Sequence, residues 1–323
     1  VAVEKAPEVQ PQNNPGLELP PLHLEQLIEQ LPAANPELQS AQKRWESKQK
    51  RPGQERALPD PTIRLGWAGA GAPYPGAGLG RDPSANLGVE ISQMFPYPGK
   101  RTLRAAIAHQ EARVESFIFQ ETQQSLVARL KSAYYELQYS FDAIEVLRRN
   151  KILLERLAKL AEIRYTAGQA SQQDLIKSQI EISMIETELL EMERNRQSMT
   201  AAINALLNRD PAADLGRPAP SVISTLPPFD AVQTSALDFS PALRAQRAVI
   251  DARQMGLALA RRNYYPDFEV MGGYFNQGSM KDMWEFRVQI NIPVFFAGKQ
   301  RLAVEENVAR LAGSRKDFQT QEQ

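Results

Sequence analysis

Arg164-Tyr165-Thr166-Ala167-Gly168-Gln169-Ala170-Ser171-Gln172-Gln173-Asp174-Leu175 is the one break in the stretch between Pro98 and Pro211, which holds no proline and, after Gly99, no other glycine. Gly168 supplies the left-handed conformation that ends one helix, and Ser171 can cap the next. The segment therefore predicts a hairpin of two long helices, 101–165 and 171–208. At 1.5 Å per residue the first arm would measure ~97 Å and the second ~57 Å. Helices of that length are not the core of a compact globule and must pack lengthwise against other helices. The apolar spacing agrees. Leu126, Leu130, Ala133, Leu137, Phe141, Ile144 and Leu147 step by three or four, continued by Leu154, Leu157, Ala161 and Tyr165. In the second arm Ile182, Ile185, Leu189, Met192, Met199, Ile203 and Leu206 form a heptad seam. Glu186, Glu188, Glu191, Glu193, Arg194 and Arg196 fall outside it and read as a solvated face.

Outward from the hairpin the chain repeats itself. Asn35-Pro36-Glu37-Leu38 opens a helical stretch that ends at Asp60-Pro61-Thr62-Ile63, and Ser240-Pro241-Ala242-Leu243 opens one that ends at Pro266-Asp267-Phe268, an offset of 205 residues at both ends. Leu87-Gly88-Val89-Glu90-Ile91 aligns with Phe286-Arg287-Val288-Gln289-Ile290, and Gly99-Lys100-Arg101 with Gly298-Lys299-Gln300, both at an offset of 199. The difference falls in a loop between strands, where length is least constrained. Each repeat reads helix, strand, loop, strand, long helix, with Asn35 and Ser240 as N-caps. The strands alternate: Ile63, Leu65 and Trp67 oppose Thr62, Arg64 and Gly66, while Leu87, Val89 and Ile91 oppose Gly88, Glu90 and Ser92. Phe268, Val270 and Tyr274 oppose Asp267 and Glu269, and Phe286, Val288, Ile290 and Ile292 oppose Arg287, Gln289 and Asn291. Such period-two alternation suits a barrel with lipid outside and water inside, or a soluble antiparallel sheet. Four strands cannot close a membrane barrel, which needs about 8, so a barrel would require several chains.

Composition narrows function. Lys plus Arg and Asp plus Glu both number 38 in the 323 residues, which leaves no basic field for nucleic acid. Without cysteine there are no disulfides, thiolate metal sites or cysteine nucleophiles. No apolar run is long enough to cross a membrane as a helix. Val1 to Pro21 lacks the regions of a signal peptide and is expected to be a flexible start of a mature chain. The glycines between Gly69 and Gly80 alternate with Pro73 and Pro75 and lead into a strand, so they do not make a phosphate loop, which must deliver a helix N-terminus. His23 and His109 have no metal-spaced partner, and no catalytic motif appears, so neither catalytic nor metal-binding residues nor a cofactor are expected. Met184, Met192 and Met199 share a helix face, and Met280 and Met283 lie near a loop. Thioethers favour Cu(I), but filling an irregular seam is the simpler role.

Arg164-Tyr165 with Gly168, Ser171, Asp174-Leu175 and Gln179, followed by the heptad helix ending in Leu206-Leu207-Asn208, resembles the periplasmic hairpin of the TolC family of outer-membrane efflux proteins. The duplicated order from Pro36 onward is similar to that family's repeat, and Phe95-Pro96-Tyr97-Pro98-Gly99-Lys100 resembles its heavy-metal branch, the CzcC-like and CusC-like proteins. The resemblance implies an α+β fold: long α-helical coiled-coil hairpins with four β-strands contributing to a trimeric 12-stranded membrane β-barrel. It also implies a homotrimer in the outer membrane of a Gram-negative bacterium with a large periplasmic part, in contact with outer-membrane lipid. Arg164, Tyr165, Gly168, Ser171, Asp174 and Leu175 would meet a periplasmic adaptor, itself bound to an inner-membrane RND-type pump. Arg64, Glu90, Glu269 and Arg287 would face the lumen, and small molecules or heavy-metal ions would pass through without chemistry. The expected organisation is an extended proline-rich segment, 1–34; a first repeat, 35–208, with strands 61–70 and 87–95 and a hairpin 101–208 whose tip is 164–171; a proline-rich linker, 209–239; and a second repeat, 240–323, with strands 267–275 and 286–294. A second repeat as long as the first would reach its own tip near about residue 367, so the hairpin seam is expected to lack part of its cover. The competing expectation is a soluble coiled-coil structural protein with a small β-sheet.

Overall fold

The computed structural model describes residues 20–169, 171–220 and 225–323. Its elements are α1 (Leu24–Ala34), α2 (Pro36–Arg56), β1 (Thr62–Ala68), β2 (Asn86–Phe95), α3 (Lys100–Thr166), α4 (Gln172–Leu206), α5 (Phe229–Phe239), α6 (Pro241–Arg262), β3 (Asp267–Asn276), β4 (Met283–Asn291) and α7 (Gln300–Glu322). Two compact units result, one of residues 20–39 and 123–226, the other of Ser40–Thr122 and Pro227–Gln323. The fold is α+β and dominated by helix.

In the second unit the four strands form one antiparallel sheet in the order β1-β2-β3-β4. Thr62 lies opposite Ser92 in the first hairpin and Asp267 opposite Asn291 in the second. Those pairs are related by the offsets of 205 and 199, so the two hairpins share one register. Helix packing repeats as well. Phe119 of α3 stacks on Trp45 of α2 at 5.7 Å, and its counterpart Phe318 of α7 lies under the Arg247 guanidinium of α6 at 5.3 Å.

The other unit has its core where Leu27 and Leu31 of α1, Leu38 of α2, Leu126, Leu130 and Leu137 of α3 and Ile203 of α4 are buried. Asn35 caps α2 by accepting from the Leu38 amide at 3.0 Å, and its amide donates to Leu206 O at 2.9 Å. Midway along the hairpin Asn195 donates to the fully buried Ser140 hydroxyl at 2.9 Å, a polar pair that fixes the register of the two arms. Tyr134 places its hydroxyl 2.9 Å from Leu22 O and 3.2 Å from Ala219 O, which binds residues 21–23 and 217–219 beside α3.

Several expectations need correction. Residues 24–34 are helical rather than extended: Leu27 and Leu31 sit one turn apart and are buried, which outweighs Pro32 near the helix end. Residues 1–19 of that expected segment, and Ala170 of the expected tip, lie outside the described residues. The expected linker 209–239 contains α5, a proline-free run that starts after Pro228. The first strand is shorter than 61–70, ending at Ala68 before the glycines. The last begins at Met283, because β3 extends far enough to pair Phe275 with it, and stops at Asn291, ahead of Pro293, where the chain turns and the Val294 N–H donates to Ile292 O at 2.9 Å.

Candidate functional site

Sheet register decides which side chains share a face, since directly opposed residues in an antiparallel pair point the same way. One face carries the rows Ile63–Ile91–Gly272–Phe286, Leu65–Val89–Tyr274–Trp284 and, at the helix end, Phe95–Phe268–Ile290. Apart from Gln93, whose amide donates to Pro59 O at 2.7 Å, it is apolar and open: Leu65 is 78% exposed, Trp284 77% and Phe286 75%. Aromatic side chains gather at both ends, with Trp67, Tyr274 and Trp284 near the loops and Phe95, Phe268, Phe295 and Phe296 near the helices.

The opposite face carries Arg64, Glu90, Glu269 and Arg287, the four charged residues singled out from sequence. Arg64 and Glu90 are cross-strand partners with an ion pair of 2.6 Å. Arg287 bonds Glu285, and Glu269 lies between Met94 and Gln289. Glu285 falls one residue outside the strand 286–294 expected from sequence, and alternation carried back from Arg287 reaches it. Phe275 on this face lies flat over glycines. A Cβ built on Gly88 would stand 2.2 Å from its ring and one on Gly273 2.7 Å, so both positions must stay bare.

At the hairpin turn the backbone closes α3 with a Schellman arrangement. Gly168 has φ of 71°, its N–H donates to Tyr165 O at 2.9 Å, and Gln169 N–H donates to Arg164 O at 2.8 Å. Ser171 and Asp174 then form a reciprocal capping box on α4. Their side chains therefore hold the turn while staying exposed, as Arg164 and Tyr165 are, and Leu175 is half-buried. Ile152, Leu153, Leu157, Leu160, Ile163, Ile176, Ile180 and Met184 are exposed along the arms behind it. Met192 and Met199 are half-buried in the seam.

Several charged groups on and beside the arms are paired. Lys151 meets Glu186 at 2.7 Å, and that hydrogen bond raises the lysine's pKa. The hydrogen bond from Arg196 lowers that of Glu193. Arg217 bridges Asp142 at 2.7 Å and Glu145 at 3.0 Å beside a cleft of about 670 Å³, and the Asp142 hydrogen bond is the main cause of its raised pKa. In the loop before β2, hydrogen bonds from the Ser84 side chain and then its backbone N–H hold Asp82 below the usual carboxylate range.

Where β2 passes into α3, Lys100 is buried. Its amine donates to Tyr265 O at 2.9 Å and to Asp267 Oδ1 at 2.8 Å, and the Tyr97 N–H donates to the same carboxylate at 2.7 Å. Tyr97 stacks on Tyr265 at 4.6 Å. Among the described residues no three histidine, aspartate or glutamate side chains gather as a metal-binding group, and no helix is long and apolar enough to cross a membrane.

The sequence matches the family described as "Outer membrane efflux protein" over residues 27–209 and 232–323. It is 24% identical over 281 residues to the cobalt-zinc-cadmium resistance protein CzcC of Cupriavidus metallidurans, a match covering 85% of this chain and 64% of that relative's length. The fold is similar to CusC, described in connection with transmembrane channel formation, with a TM-score of 0.77 at 14% identity over 94% of this chain and 73% of that one. It is also similar to the outer membrane protein VceC from Vibrio cholerae, with a TM-score of 0.76 at 19% identity, covering 93% and 75% of the two chains.

Proposed function

The chain belongs to the outer membrane efflux protein family, and from that premise we propose that it is the wall-forming protomer of an outer-membrane duct. Three copies contribute four strands each to one 12-stranded barrel, and the helices continue the passage in the periplasm. The duct is a passive conduit for small molecules or heavy-metal ions, with energy supplied by an inner-membrane RND-type pump. Arg164 and Tyr165, presented by the turn that Gly168, Ser171 and Asp174 hold, and Leu175 beside them, meet the periplasmic adaptor of that pump.

The observation that carries this reading is the two-faced sheet. An open apolar face of this extent is unstable in water, and its partner face is charged, so lipid on one side and water on the other satisfies both. β2 and β3 have 10 residues each, the length a tilted strand needs to cross a bilayer. Aromatic residues at both ends fit the two membrane interfaces.

Single nitroxide labels on the protein in lipid vesicles test it. Labels at Ile63, Leu65, Val89, Phe268, Val288 and Ile290 are expected to relax with oxygen in the lipid. Those at Arg64, Glu90, Glu269 and Arg287 are expected to relax with a water-soluble nickel complex. Reversed accessibility would overturn the assignment of the faces, and a protein that stays dispersed without detergent or lipid would favour a soluble coiled-coil protein.

A further inference from the structure

We infer that β4 of one copy pairs with β1 of the next in the register that β2 and β3 already show, and that Lys299 reaches Asp60 of that next copy. The inference rests on the reading of the sheet as one arc of a closed barrel. It starts from the repeat: offsets of 205 and 199 convert the β1–β2 register into the β3–β4 register without a slip. The same offsets convert the β2–β3 junction into a β4–β1 junction between copies. Ile91 opposite Gly272, Gln93 opposite Val270 and Phe95 opposite Phe268 become Ile290 opposite Trp67, Ile292 opposite Leu65 and Val294 opposite Ile63.

Three observations fit that register. All six of those side chains are apolar and exposed here; Ile63, Leu65, Trp67 and Ile290 share the apolar face, and Ile292 and Val294 would join it once paired, whereas a slip of one residue would set them against the charged face. β1 and β4 are the edges of the sheet, with backbone groups lacking a strand partner. Finally, β4 stops at Asn291, whereas its counterpart β2 continues to Phe95, the equivalent of Val294. Residues 93–95 are strand because Phe268–Val270 lie opposite them. Residues 292–294 turn at Pro293 in the single copy, with the Val294 N–H on Ile292 O at 2.9 Å, and in the proposed pairing Ile63–Leu65 of the next copy lie opposite them with Pro293 facing Arg64.

The charged contact follows from the same offsets. Lys100 holds Tyr265 O and the Asp267 carboxylate; the counterparts of these three residues are Lys299, Asp60 and Thr62. The carboxylate has moved two positions, onto the residue whose carbonyl the lysine addresses. Within its own chain neither the Lys299 nor the Asp60 side chain has a polar partner among the described residues, and both are exposed.

Because the protein has no cysteine, paired substitutions give an unambiguous test. Leu65→Cys with Ile292→Cys, oxidised in lipid vesicles, is expected to give covalent trimers at least tenfold faster than Ile63→Cys or Trp67→Cys combined with Ile292→Cys. Faster linkage in a shifted pair would overturn the register while leaving the ring intact. No linkage in any pair, together with a monomeric mass in detergent, would overturn the ring as well. Lys299→Asp is expected to lower the melting temperature of the trimer in SDS, and Asp60→Lys added to it to restore it. A harmless Lys299→Asp, or a double variant that melts no higher than Lys299→Asp alone, would remove the ionic contact.

Discussion

The two strand-to-helix junctions, 95–100 and 294–299, descend from one plan but stand in different states. At the first, Lys100 is 4% exposed in its side chain and bonded to a carbonyl and a carboxylate, and Tyr97 stacks on Tyr265. At the second, Lys299 is exposed, Phe295 and Phe296 are bare, and the strand ends three residues early. The local sequences share only their Gly-Lys end, and Pro293 stands where the first strand has Met94, with the Val294 N–H donating back to Ile292 O at 2.9 Å. The neighbour differs as well: among the described residues the first junction has β3 beside it and the second has none. A strand's extent is thus set by its partner as much as by its residues.

The largest expected effect exploits that difference. Lys100→Ala leaves the Asp267 carboxylate without its cation and should cost about 3 kcal/mol, as breaking a buried pair does. Lys299→Ala in the dispersed monomer should stay within about 0.5 kcal/mol, as surface substitutions do. Denaturant unfolding in detergent, followed by tryptophan fluorescence, measures both. Similar losses at the two sites would break the comparison between junctions.

The next effect compares two glycines that face each other on the charged face. Gly88→Val drives a side chain into the Phe275 ring and should cost about 2 kcal/mol by overpacking. Gly66→Val, opposite it in register, meets open space and should be near neutral or stabilising, since valine suits a strand. The same unfolding measurement separates them, and a neutral Gly88→Val would show that Phe275 does not depend on the bare positions.

Much of this was legible in the sequence, and the exceptions share a cause. The hairpin, its turn and the strand faces were readable because each is a local pattern: absence of proline, heptads, a glycine stop followed by a serine cap, alternation in two. The start of β4 at Met283 was not readable, because it depends on β3 continuing to Asn276 across a separate loop. Helix α1 was hidden by the prolines around it; its burial of Leu27 and Leu31 comes from tertiary packing. At the tip, Ser171 was readable as the cap of α4, whereas the return bond from the Ser171 N–H to the Asp174 carboxylate was not. Side-chain geometry alone shows that return bond.

The two helix ends of the hairpin offer a smaller effect of the same kind. α3 ends on Gly168 and α4 on Asn208, both left-handed, with φ of 71° and 52°. Gly168→Val should destabilise the turn by about 1–2 kcal/mol, and Asn208→Gly should stabilise slightly, because only glycine adopts that conformation without steric cost. Hydrogen exchange of the amides on either side reads each locally. Unchanged protection in the Gly168→Val variant would mean that the capping box alone fixes the turn.

The smallest expected effect compares Tyr134 with Lys100, since each uses one buried polar tip to hold backbone carbonyls distant in sequence. Burial is the main cause of the raised pKa of Tyr134. A group whose pKa is raised on folding stabilises fully below its unfolded value, about 10 for tyrosine, and loses that contribution as the pH climbs through the folded value. Between those values the unfolded chain has released the proton and the folded chain has not. Tyr134→Phe should therefore cost about 1 kcal/mol at neutral pH, the worth of the lost hydrogen bond. It should also make stability fall less steeply above about pH 10 than in the parent protein. Circular dichroism melts between about pH 8 and about pH 11, on either side of the tyrosine value, compare the two proteins, so the lysines titrating in the same range cancel. Parallel pH profiles would show that Tyr134 remains protonated no better in the folded unit than in the unfolded chain, and its burial would then hold only the ring.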